Sequence, residues 1–324
     1  MSTLASEVKL FFEIRKGGGN LLIDWGDGTK SNKYIIQNDL YSQYFWISNS
    51  YSGASEHRIT IVGDNIEYLK CRGNQLTSLD VSNYPALSEL ECSDNRLTTL
   101  DVSKNMVLSH LNCDGNQLTT FDVSKNIALH ELGCGDNPLK TLDVSKNIRL
   151  NYLYCYDNQL TNLDVSRNDK LTWLDCSGNQ LMSLDVSRNT DLIVLSNSGN
   201  QLTTLDVSRN TSLGYLYCED NQLKSLDVSR NTELYILKCN GNQLTTAALN
   251  DLFRTLPDKS GMTGISGGRG WSAHILFSDN PGASDCDFSI ATEKNWIEWR
   301  PGPKSMESPV ELNLNNLKQF ININ

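Results

Sequence analysis

Glu89, His110 and Glu131 recur at intervals of 21 residues, with Glu91 and Asp114 close by in the chain. Two carboxylates flanking an imidazole can hold a metal ion or pass a proton. The plainer reading is charge balance, a histidine set between two acids on an exposed surface. The chain has four histidines, His57, His110, His130 and His274, and no second one converges on this group. The sequence contains no nucleophile elbow, phosphate loop or HExxH helix. The glycine-rich stretches KGGGN (16–20) and SGGRG (266–270) lack a strand–loop–helix context and read as loops. Charge balance is therefore favoured. No catalytic residue, metal or cofactor is expected, and Glu89, His110 and Glu131 are kept as secondary polar candidates.

The same interval governs the cysteines. Cys71, Cys92, Cys113, Cys134, Cys155, Cys176, Cys218 and Cys239 share one register, and Cys286 lies off it. Disulfide frameworks use irregular spacings, and zinc sites use close pairs such as CxxC. Cysteine is small and among the most often buried residues. The series therefore reads as a column of reduced core thiols, and Cys286 is expected to be buried too. The register position between Cys176 and Cys218 holds Asn197. A buried amide without a partner costs about 1–3 kcal/mol, so a backbone or water partner is expected for it.

In NYLYCYDNQL (151–160), Tyr152, Tyr154 and Tyr156 alternate with Leu153 and Cys155. Successive side chains of a strand point to opposite faces. If leucine and cysteine point inward, the three rings stand in water. Trp173 falls beside them one repeat on, and Tyr215 and Tyr217 follow two repeats later. The smaller Val194 and Ser196 between them leave room for a dip. Exposed aromatics gathered on one face are enriched at protein interfaces, and they also suit sugar stacking. The alternative is cross-strand aromatic pairing that stabilises the sheet. Binding is favoured, with Tyr152, Tyr154, Tyr156, Trp173, Tyr215 and Tyr217 as the candidate ligand-binding residues.

What positions these side chains is an internal repeat. LTTLDVSKN (97–105) returns with few changes every 21 residues up to LKSLDVSRN (223–231), and nine units run from about Ile66 to Leu244. Each unit fits L-x-x-L-x-C-x-x-N-x-L, the leucine-rich-repeat signature with cysteine in one leucine slot. Neither half of a unit is long enough for a helix with turns on both sides. Each coil therefore reads as one strand on a concave side with a short strand or extended segment opposite. One coil cannot bury its own leucines, but a stack can. The two asparagine columns, Asn74 to Asn242 and Asn105 to Asn231, are expected to bond backbone groups at the bends. The recurring aspartates, Asp80 to Asp227, should form a ladder of like charge, offset by the column that runs from Lys104 to Arg230. A calcium ladder is the sharper reading, but one Asp per coil supplies few ligands.

Flanking segments close the stack. Residues 1–65 read as a small antiparallel β domain that also caps the solenoid, with Asp27-Gly28 as a hairpin turn. TAALNDLFRTLP (246–257) reads as a helix ending before Pro257, HILFSDNPG (274–282) as one more repeat strand, and CDFSIATEKNWIEW as a short helix and closing strand. The divisions are 1–65, 66–244, 245–300 and a tail, 301–324. The formal net charge is −10, which disfavours a nucleic-acid partner. No apolar run is long enough to span a bilayer. The opening MSTLASEVKLFFEIRK lacks the order of a signal peptide, so this chain is expected to carry no export signal: either the protein is not exported or a leader has been removed.

The repeat resembles the cysteine-ladder leucine-rich repeats of internalin J and of Bacteroides-type surface proteins. WGDG (25–28) with the later SNSYSG resembles the signature of PKD-type β-sandwich domains. These resemblances imply an exported, surface-displayed protein that binds other macromolecules, without naming a ligand. The chain departs from them in having no wall-sorting motif or lipid-attachment cysteine. The expected fold is mainly β: a right-handed solenoid of nine 21-residue coils, a β-sandwich-like N-terminal cap and an α/β C-terminal cap. The expected function is a non-enzymatic, adhesin-like module at the cell surface or secreted, with a protein ligand on the concave face. The alternatives are carbohydrate or mucin-glycan recognition by the same aromatics, and a structural spacer.

Overall fold

The computed structural model describes residues 1–14, 19–35, 43–52, 55–63, 65–260 and 273–299. SGGRG (266–270) and the tail 301–324 lie outside the described residues, as do 16–18 of KGGGN. Each repeat forms one short strand. Ile66–Lys70, Glu89–Glu91, His110–Asn112, Glu131–Gly133, Tyr152–Tyr154, Trp173–Asp175, Val194–Ser196, Tyr215–Tyr217 and Ile236–Lys238 pair in parallel, each with the next. Ala273–Leu276 and Trp296–Glu298 continue the parallel series. At the other end Glu7–Ile14 pairs antiparallel with Ile66–Lys70, and Gln43–Ser50 with Glu7–Ile14, completing a 13-stranded sheet. The fold is thus a parallel β-solenoid, mainly β, with two helices among the described residues, Thr246–Thr255 and Ser289–Thr292.

The central residue of each strand, from Leu69 to Leu237, points inward and is buried. It packs with the cysteine, valine and leucine columns in one continuous core. Val8, Leu10, Phe12, Leu21, Ile23 and Trp25 belong to the same core, so the N-terminal strands cover the open end of the stack. Burying each such side chain contributes about 1.5–3 kcal/mol. A second sheet, with Gly19–Asp24 between Lys30–Ile35 and Thr60–Val62, lies in this region. Its hairpin turn is held by Asp27, whose Oδ1 accepts Thr29 N–H at 2.8 Å and whose Oδ2 accepts Asn49 Nδ2–H at 2.9 Å. The hydroxyl and amide of Thr29 hold the Asp27 carboxyl down at a pKa of about 2.

The asparagine columns carry the backbone through the bends. Asn95 Nδ2 donates to Cys71 O, Cys92 O and Ser93 O at 2.9–3.1 Å, and its Oδ1 accepts Leu76 N–H at 2.9 Å. The pattern recurs in every coil up to Asn242. In the second column Asn126 Nδ2 donates to Val102 O and Asn105 O, while its Oδ1 is buried without a hydrogen bond. Opposite the strands, Leu76–Ser78 of the first repeat pairs antiparallel with Ser2–Thr3, and among the described residues the opposite segments pair with one another through a single bridge, Asp80 to Asp101. The recurring aspartates are exposed and accept hydrogen bonds from their own loops. Asp101 Oδ1 accepts Ser103 N–H at 2.8 Å, and the bonds from Ser103, with the Lys104 charge, hold that carboxyl below its ordinary range.

The eight ladder cysteines are unbridged and fully buried. Parallel side chains in register point the same way, which does not suit the dihedral near 90° that a disulfide needs. Burial pushes the Cys71 thiol up to about 12. Cys286 departs from the expectation: it is only half-buried, beside Ala283 at the sheet's end.

Asn197 is the larger departure. It is fully buried, yet neither Oδ1 nor Nδ2 meets a protein hydrogen-bond partner. Its backbone is bonded within the stack, the N–H to Tyr217 O and the carbonyl to Asn200 Nδ2 and Asn221 Nδ2. Asn197→Cys should therefore raise the unfolding free energy by about 1–3 kcal/mol, read from chemical denaturation. A loss of stability would show that the amide is satisfied.

Candidate functional site

Residues on either side of the buried central leucine point to the outer face of the sheet. One outer column runs Glu89, His110, Glu131, Tyr152, Trp173, Val194, Tyr215, Ile236. The other runs Glu91, Asn112, Gly133, Tyr154, Asp175, Ser196, Tyr217, Lys238. The expected neighbours do meet here. Tyr154, Trp173, Val194 and Tyr217 form a second apolar cluster, separate from the inner core, and Tyr152, Tyr156, Tyr215, Ile193 and Ile236 pack around it.

The rings do not stand in water. Tyr154, Trp173 and Tyr217 are 7%, 9% and 4% exposed, while Tyr152, Tyr156 and Tyr215 are half-buried. Neighbouring coils lie one strand spacing apart, so large side chains in one column must cover each other. Tyr154 and Trp173 have ring centroids 5.9 Å apart at 57°, a tilted pair worth about 0.5–1.5 kcal/mol beyond its area. Val194 and Ser196 are buried within the cluster. Cross-strand pairing therefore accounts for the three buried rings, and the half-buried three border it.

Glu89, His110 and Glu131 are adjacent in register as expected. His110 is exposed, and its Nδ1 lies 2.9 Å from Ser109 Oγ. Glu91 meets Lys70 at 2.6 Å. Among the described residues no group of three or more His, Cys, Asp or Glu could hold a metal ion.

The sequence reading missed a set of carboxylates beside the aromatics. Asp114 accepts Gly135 N–H at 2.6 Å and a hydrogen bond from the Tyr156 hydroxyl. This contact spans two coils and depends on glycines between them. A Cβ at Gly135 would lie 2.5 Å from the Tyr156 ring, and one at Gly133 would lie 3.0 Å from Asp114 Oδ1. Burial raises the Asp114 carboxyl to about 7. Asp175 is 5% exposed; its Oδ1 accepts Ser177 N–H at 3.1 Å and Ser177 Oγ–H at 2.6 Å, and burial raises its pKa. Glu219 is half-buried beside Lys238, and its carboxyl is also raised by burial. The available signal was LGCGDNPL, where glycines replace the large outer residues of neighbouring coils.

The fold and site define a leucine-rich-repeat solenoid with a cysteine ladder. It is similar to the functional domain of InlJ from Listeria monocytogenes, which includes a cysteine ladder, with TM-score 0.60 and 30% identity over 74% of this chain and 54% of that one. It is also similar to a leucine-rich-repeat protein of Leptospira interrogans, with TM-score 0.56 and 25% identity over 65% of this chain and 54% of that one. The chain thus spans about half the length of these two. The leucine-rich-repeat protein FLRT2, in an octameric complex with Latrophilin 3 and Unc5D, shares the fold at TM-score 0.56 and 20% identity over 74% of this chain and 78% of that one. No protein-family model and no curated protein matches the sequence. Among the described residues no helix is long and apolar enough to cross a membrane.

The folded state holds the Asp114 proton more tightly than the unfolded chain does, since burial raises the folded value above 3.8. The contribution to stability is full below about pH 4 and is lost as pH rises toward 7. Asp157, Asp175 and Glu219 shift in the same direction, so a difference measurement isolates Asp114. The melting temperature of Asp114→Asn should gain on that of the native protein between pH 4 and pH 8. Parallel curves across that window would contradict the assignment.

Proposed function

We propose that this chain is a non-enzymatic binding module displayed outside the cell, whose strand-lined outer face meets a protein ligand. One observation carries this reading. Tyr152, Tyr156 and Tyr215 border a packed aromatic cluster on a face that the inner core does not use. A rigid, largely desolvated aromatic floor with half-open tyrosines at its edge is the anatomy of an interface centre. The exposed His110, bonded to Ser109, supports binding over catalysis at the Glu89–His110–Glu131 column. FLRT2, which shares the fold, forms a complex with Latrophilin 3 and Unc5D, and that is consistent with a protein ligand here. Display outside the cell rests on the likeness of the repeat to those of internalin-type surface proteins. Sugar stacking is less well supported, because Tyr154, Trp173 and Tyr217 are almost wholly covered.

The test compares two double variants. Tyr152→Ser/Tyr215→Ser alters the half-buried edge of the cluster. Ile127→Ser/Ile148→Ser alters apolar residues, 60% and 57% exposed, outside the sheet. Extracted surface proteins and a glycan array would be probed with each. The sheet-face variant should weaken protein binding by about 10-fold or more, and the other by less than about 2-fold. Equal binding by both, or binding confined to glycans, would overturn the reading.

A further inference from the structure

Tyr154 and Tyr217 occupy the same register position three coils apart. Each has a small residue on one side, Gly133 or Ser196. On the other side they differ: Tyr217 is followed by Lys238, and Tyr154 by Asp175. The Lys238 ammonium sits 5.4 Å from the Tyr217 ring centroid and 5.4 Å from that of Trp299. At that end the chain supplies its own cation to two rings and to the nearby Glu219.

At the Tyr154 end the charged groups that act on the rings are carboxylates. Asp114 and Asp175 both act on Tyr154 and Tyr156, and among the described residues neither forms an ion pair with Lys or Arg. Both are held in fixed places, Asp114 by Gly135 N–H and Tyr156, Asp175 by Ser177. The Tyr154 side chain is only 7% exposed, and its buried hydroxyl has no hydrogen-bond partner. That hydroxyl lies within electrostatic reach of Glu131, Asp175 and Asp114. A buried polar group of this kind carries a desolvation cost that a ligand donor can remove. Carboxylates beside aromatic rings are the complement of a cation.

We propose that the Tyr154 end of the outer face receives an arginine side chain of a protein partner. The guanidinium would pair with Asp114, donate to the Tyr154 hydroxyl and lie against the half-buried Tyr156 ring. Arginine is favoured over lysine because its planar fork serves a carboxylate and a ring together. This inference rests on the binding role proposed for the same face, and it names the chemistry of the partner.

The probe is a tetra-arginine amide, with tetra-lysine amide and tetra-glutamate for comparison, titrated at pH 8 and physiological salt with detection by tyrosine and tryptophan fluorescence. The native protein should bind tetra-arginine at least about 3-fold more tightly than tetra-lysine and should not bind tetra-glutamate. Asp114→Asn should weaken tetra-arginine binding about 10-fold. Asp122→Asn removes the same charge from a loop aspartate outside the strand-lined face and should weaken it less than about 2-fold. Tyr154→Phe removes only the hydroxyl, serves if Asp114→Asn fails to fold, and should also weaken binding. Equal losses for Asp114→Asn and Asp122→Asn would mean diffuse attraction to an acidic protein and would overturn the proposal. So would undiminished binding by Asp114→Asn or, where that variant does not fold, by Tyr154→Phe. A protein partner lost with Tyr152→Ser/Tyr215→Ser but retained by Asp114→Asn would leave the binding role standing and overturn the arginine assignment.

Discussion

The structure depends on the bond from an asparagine amide to the carbonyls of the coil before it. A strand of three residues, such as Glu89–Glu91, is too short to hold a sheet together by its ladder alone. Asn116 Nδ2 donates to Cys92 O of the preceding coil and to Cys113 O of its own, and its Oδ1 accepts the Leu97 amide. The same side chain closes a bend and joins two coils. Because this happens at one register in every repeat, it fixes the stacking distance, and the stacking distance lets the leucine and cysteine columns exclude water.

That spacing also constrains the outer face. Large side chains at one register cannot stay independent, so Tyr154, Trp173, Val194 and Tyr217 condense into a second cluster. Where two glycines leave room, Asp114 and Tyr156 reach across a coil instead. The inner columns are nearly identical from coil to coil, whereas the outer ones hold glutamate, histidine, tyrosine, tryptophan and lysine in turn. The chain therefore carries a uniform scaffold and a non-uniform face on the same strands, and the non-uniform face is where carboxylates come to lie beside rings.

Most of the scaffold was legible in the sequence because its columns repeat. The strand register, the inward leucines, the buried ladder thiols and the bonded asparagines all follow from a period that any coil displays. What the period cannot show is how unlike side chains in adjacent coils share space. The rings of NYLYCYDNQL were placed on the correct face but expected in water, because coverage by Trp173 and Val194 depends on neighbours rather than on the strand itself. Asp114 was read only as a neighbour of the Glu89–His110–Glu131 column, since the burial that raises its pKa depends on a tyrosine two coils away reaching across Gly135. Asn197 was expected to meet a backbone or water partner on general grounds, yet among the described residues its amide meets no protein partner. Cys286 lies off the register, so the period gave no guide to its burial.

The central claim is that the inner columns hold the stack and the margin of the outer cluster contributes little to its stability. It is tested most directly within one coil, by comparing Asn158→Ala with Tyr152→Thr in chemical denaturation. Asn158 bonds Cys134 O, Cys155 O, Tyr156 O and Leu139 N–H, whereas Tyr152 is half-buried at the margin of the outer cluster. Loss of Asn158 should cost about 3 kcal/mol or more, since several buried groups lose their partner at once. Loss of Tyr152 should cost about 1 kcal/mol or less. Equal costs, or a larger cost at Tyr152, would contradict the division between scaffold and binding face.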